Sequence, residues 1–68
     1  MKKLERFELE KHALEIMEGY NYTTDAALLM DIQKDLYWEI GFPTSWKEWE
    51  TFESYINVMI NAIERAGR

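Results

Sequence analysis

The sequence predicts an all-α fold, a small three-helix bundle, on three observations. Apolar residues recur at helical spacing in three segments. Glycine or proline punctuates the two gaps between them. A Ser-x-x-Glu signature marks the start of the third segment. The expected helices span about residues 3–18, 25–40 and 46–66, all in one domain covering 1–68.

In the first segment, Phe7, Leu9, Ala13, Leu14, Ile16 and Met17 fall on one broad side at roughly 100° per residue. Glu5, Glu8, Lys11, His12, Glu15 and Glu18 cover the other. Arg6 and Glu10 intrude on the apolar side. The alternation of Phe7, Glu8, Leu9 and Glu10 also fits a short strand, but the longer window favours a helix. Gly19 is the expected stop. Tyr20, Asn21, Tyr22 and Thr23 form the first connection, with Thr23 or Thr24 as cap of the next helix and Asp25 complementing its dipole.

The second segment places Ala26, Leu29, Met30, Ile32, Leu36, Tyr37 and Ile40 on one face, opposite Asp31, Lys34, Asp35 and Glu39. Gly41 ends it, and Pro43 disfavours helix at Phe42. In the third segment Ser45 is the expected N-cap and Glu48 its reciprocal partner. Trp49, Phe52, Tyr55, Ile56, Met59, Ile60 and Ile63 form the stripe. The expected core is Leu29, Ile32, Leu36, Phe52, Ile56, Met59 and Ile63. A chain of 68 residues lies near the lower size limit for an autonomous core. Dimerisation is therefore the alternative route to burying these stripes.

Composition narrows the function classes. The formal charge is −5. Lys2, Lys3, Arg6 and Lys11 against Glu5, Glu8 and Glu10 leave residues 1–12 at +1, so residues 13–68 carry −6. Such a body repels phosphate backbones and anionic lipid, which argues against direct nucleic-acid or membrane binding and for a basic protein partner. No apolar run approaches the roughly 18 residues of a membrane span. The start, Met-Lys-Lys broken by Glu5, Glu8 and Glu10, does not read as a signal peptide. With no cysteine, this points to a cytoplasmic location.

No hydrolase, kinase, dinucleotide or phosphate-loop motif is present. A Ser-His-acid arrangement would need His12 with Ser45 or Ser54, and Ser45 is already a cap. The sequence therefore predicts no enzyme, no catalytic residue, no cofactor and no metal. His12, the only histidine, has Glu8 and Glu15 at helical spacing and is expected to be solvated between them.

The candidate partner-binding residues are Asp31, Asp35, Trp38 and Glu39 on the second helix, with Trp46, Glu50 and Glu53 on the third. Asp31, Asp35 and Glu39 repeat every four residues, a spacing at which like charges oppose the helix. Helical rise sets them about 6 Å apart. DNA-strand charges lie about 3.4 Å apart, so the stripe crudely imitates every second phosphate. Trp38 projects with Asp31 and Lys34. It is expected to pack under the 41–44 connection or on the first helix; left exposed, it becomes an interface anchor. Trp49 is expected in the core. Trp46 either closes the bundle end with Phe42 or stays open to a partner.

The leading function is a small acidic protein-binding regulator or inhibitor, with a nucleic-acid enzyme of a host cell as one target. Phages and mobile elements are the expected source of such proteins. The alternative is a structural or assembly protein, a homodimer or a small subunit of a larger complex.

Overall fold

The computed structural model describes residues 2–19 and 24–67. Its elements are α1 (Arg6–Gly19), α2 (Asp25–Ile40) and α3 (Trp46–Arg65), with no strand among the described residues. They make the all-α three-helix bundle that the periodicity predicts. The first connection, residues 20–23, lies outside the described residues, as does Thr23 as a cap. None of the described helices is long and apolar enough to cross a membrane.

Local chemistry sets the helix ends. Thr24 caps α2, its Oγ1 accepting from the Ala27 N–H at 3.1 Å. Gly41 closes α2 at φ 84°, where a side chain would be strained, and donates its N–H to Tyr37 O. Ser45 caps α3, accepting from the Glu48 N–H at 3.2 Å. The expected box is not reciprocal, however. The Glu48 carboxylate reaches one residue further back and accepts from both the N–H and the hydroxyl of Thr44, at 2.9 and 3.0 Å. Those bonds hold its carboxyl below the usual carboxylate range.

α1 begins three residues later than expected and includes Gly19 rather than stopping before it. Residues 3–5 instead form a non-helical lead-in. There the Leu4 N–H donates to the Tyr55 hydroxyl at 3.1 Å, and the Leu4 side chain is buried. The Glu8 carboxylate accepts from the Glu5 N–H at 3.1 Å, which satisfies one backbone donor ahead of the helix.

The core comprises Leu4, Leu9, Ala13 and Ile16, then Leu28, Ile32, Leu36 and Ile40, then Phe52, Ile56, Met59, Ala62 and Ile63. Six of the seven expected core residues are there. Leu29 is not: Leu28 takes its place, and Ala26 and Met30 also face solvent. On α1, Phe7 and Leu14 are likewise exposed. Both corrections have one cause. The buried faces of α1 and α2 are each turned about 60° from the centre of the apolar residues, at 100° per residue. The intruding Glu10 is explained by α3, whose Arg65 pairs with it, while Arg6 adds a second contact at 3.7 Å. α1 packs most extensively on α3 and least on α2.

Candidate functional site

Six of the seven expected site residues fall in two places, and Glu39 lines neither. The first is a shallow hollow of about 360 Å³ where α1 meets α2, lined by His12, Glu15, Ile16, Asp31, Lys34, Asp35 and Trp38. The second is a groove of about 290 Å³ along α3, lined by Trp46, Trp49, Glu50 and Glu53. Asp31, Asp35 and Trp38 therefore belong to one hollow, and Trp46, Glu50 and Glu53 to the other.

At the α1–α2 seam the expectations for His12 and Asp35 are corrected. His12 is half-buried, not solvated between Glu8 and Glu15. Its Nδ1 lies 3.5 Å from Asp35 Oδ2, with about a quarter of each side chain exposed. Asp35 and Glu39 are half-buried as well, because on α2 they flank the Leu28–Ile32–Leu36–Ile40 row. Asp35 Oδ2 is shut off from solvent and has no hydrogen-bond partner among the described residues. At 3.5 Å the imidazole is near enough for charge attraction but is not a well-formed donor. Burial pushes the Asp35 carboxyl above its usual range, and the charges of Glu39 and Glu15 add to that rise. The facing His12 opposes it. Ligand atoms of His12, Asp35 and Glu39 lie within 4.8 Å of one another.

Trp38 does not pack under the 41–44 connection or against α1. It is 88% exposed. Phe42, itself in that connection and largely exposed, stacks its ring on Tyr37 with centroids 4.8 Å apart; Tyr37 in turn stacks on Phe52 at 5.0 Å.

The α3 groove follows from spacing alone. Trp46, Trp49, Glu50 and Glu53 stand at i, i+3, i+4 and i+7, one side of the helix beside its buried stripe. Trp49 is not the core residue expected, being 36% exposed. One edge is held by T-shaped contacts to Phe42 and Phe52, at 5.5 and 5.6 Å, and the remaining surface forms a groove wall. Trp46 is 80% exposed and does not close the bundle end with Phe42. The groove thus has one indole fixed by the aromatic chain Tyr37–Phe42–Trp49–Phe52, one free indole, and two carboxylates. It suits an alkylammonium or guanidinium group, which gains from both the ring faces and the negative charge.

Sequence reasoning named every residue of the α3 groove but assigned Trp49 to the core. It missed the convergence of His12 with Asp35 and Glu39, which join only across helices. No protein-family model, no curated protein and no solved structure matches the chain.

Proposed function

We propose that this chain is a small acidic protein-binding module, a regulator or inhibitor, that docks a basic segment of a partner on the indole and carboxylate face of α3. The reading rests on the groove of Trp46, Trp49, Glu50 and Glu53. Exposing an indole forfeits the large burial gain of an aromatic side chain. Trp is enriched among residues that anchor interfaces. The chain's net charge of −5 would steer a basic surface towards it.

The phosphate-imitating stripe is a weaker part of this reading. Asp35 turns into the seam towards His12, so Asp31, Asp35 and Glu39 do not present an evenly open row. A nucleic-acid enzyme remains one basic partner among others. Trp38, on α2, would act as a second anchor.

The test is a partner captured from a cell extract, followed by binding kinetics. Glu50→Lys with Glu53→Lys should slow association and flatten its dependence on salt. Trp46→Ala should instead speed dissociation. Wild-type kinetics in all these variants would remove α3 from the interface. The assembly reading is favoured by one observation, the exposure of Phe7, Leu29, Met30 and Trp38. Sedimentation decides it: a dimer at micromolar concentration, lost on Trp38→Ala, would replace the partner-binding reading.

A further inference from the structure

The α1–α2 seam carries an inference independent of the α3 groove. It holds the only group of three potential metal ligands among the described residues, His12, Asp35 and Glu39, contributed by two helices. Asp35 and Glu39 are one turn apart on α2, and His12 faces them from α1. The His12 Nδ1 to Asp35 Oδ2 separation is 3.5 Å. Bonds of about 2.1 Å to a tetrahedral ion set ligand atoms about 3.4 Å apart, and trans ligands of an octahedral ion about 4.2 Å. The pair thus already has a ligand-to-ligand spacing. All three ligand atoms lie within 4.8 Å of one another. A closure of at most roughly 0.6–1.4 Å brings every pair to those spacings, a shift that side-chain rotation can supply.

A second observation concerns the Asp35 carboxylate. Asp35 Oδ2 is buried and makes no hydrogen bond among the described residues, and Asp35 lines the hollow together with His12 and Asp31. A buried oxygen without a donor is costly, and a bound cation is one way to satisfy it. Negative charge around it is high: Glu15 and Asp31 line the same hollow, and Glu39 adds to it. Lys34 on the rim opposes a cation, but it is exposed on a flexible stem that can swing into water.

We propose that His12, Asp35 and Glu39 bind one divalent transition-metal ion, Zn²⁺ being the representative, and that the ion clamps α1 to α2. The imidazole selects against Ca²⁺ and Mg²⁺, which prefer all-oxygen shells. Three protein ligands leave at least one position to water. The clamp acts where the bundle is thinnest, since α1 and α2 share the least packing of any helix pair. Metal binding then adds directly to folding stability.

The test uses the full chain without a histidine tag, stripped with chelator and titrated with Zn²⁺ by calorimetry and thermal melting. Visible absorption of Co²⁺ reports on the ligand geometry. The expected result is one ion per chain. The melting midpoint should rise by roughly 5–10 °C at free Zn²⁺ about tenfold above the dissociation constant. His12→Ala and Glu39→Gln should each weaken binding at least about tenfold, as loss of a ligand or of its orienting partner does. Glu18→Gln, an exposed carboxylate outside the cluster, should change nothing. Circular dichroism of the apo variants checks that each folds, and the Glu39 variant keeps the test open if removing His12 disturbs the seam. Absence of binding below millimolar Zn²⁺ overturns the proposal. So does binding that His12→Ala and Glu39→Gln leave intact, which would assign the ion to surface carboxylates. Neither result bears on the α3 groove, whose test is partner binding.

Discussion

α3 and α2 are both amphipathic helices, yet one shows its buried face in the sequence and the other does not. In α3 one line runs through Phe52, Ile56, Met59 and Ile63, all buried, and the other apolar residues of its second half flank that line. Carboxylates, asparagines and other polar residues occupy the opposite face, so only one orientation buries the apolar residues without desolvating charge. In α2 the first turns read Ala26, Ala27, Leu28, Leu29, Met30. Five consecutive apolar residues circle the helix and leave its phase open. Neighbouring helices then choose, and they choose Leu28 over Leu29 and Met30. The lesson is that a helix announces its buried face through where its polar residues are, more than through where its apolar ones are.

The comparison breaks most decisively at Phe52, the largest fully buried side chain. Phe52→Ala should cost roughly 3–5 kcal/mol, a large part of the stability of so small a domain. Chemical denaturation should show the loss, and a loss under about 1 kcal/mol would contradict the central place of α3.

The rotation of α2 is tested by a set of alanine variants. Leu28→Ala should cost roughly 2–5 kcal/mol as a core truncation. Met30→Ala should stay within about 0.5 kcal/mol, as an exposed substitution does. Leu29→Ala should fall between them, because Leu29 is only just exposed. The opposite order, with Leu29 or Met30 costing more than Leu28, would restore the face that the sequence favours.

The smallest effects lie at the start of α3. Ser45→Ala should lower stability by about 1 kcal/mol through loss of the cap to the Glu48 N–H. Glu48→Gln should show a dependence on pH. The bonds from Thr44 hold the Glu48 carboxyl below its usual value of 4.5, so the native state favours the ionised form. That contribution is fully present above pH 4.5 and is lost as pH falls through the lower folded value. The gap between wild type and Glu48→Gln should therefore close on acidification. Thermal midpoints of both proteins from pH 7 to pH 3 provide the measurement, and a gap constant across that range would detach Glu48 from the cap.

Much of the bundle was legible before any coordinates. Thr24, Gly41 and Ser45 act through backbone groups three or four residues away, so their chemistry is local and the helix ends near them follow from it. The start of α1 was less legible, because Leu4 is held by Tyr55, fifty-one residues away. The α3 groove was legible in large part, since positions 46, 49, 50 and 53 share a side on any α-helix. Its indoles were harder to place. Trp38 was expected under the 41–44 connection or on the first helix but stands in solvent, while Phe42 of that connection stacks on Tyr37.

The sequence alone determined three helices, the caps of α2 and α3, the stripe of α3 and the acidic surplus. Each depends on periodicity, on short-range hydrogen bonding or on charge count, and none needs knowledge of a neighbour. The tertiary structure alone decided the rotation of α1 and α2 about their axes. Their apolar arcs are wide enough to permit several phases, and only packing against α3 selects one. That selection exposes Phe7 and Met30, brings Glu10 to Arg65, and turns His12 towards Asp35 and Glu39. The seam between α1 and α2 is therefore a product of assembly, written in no single helix.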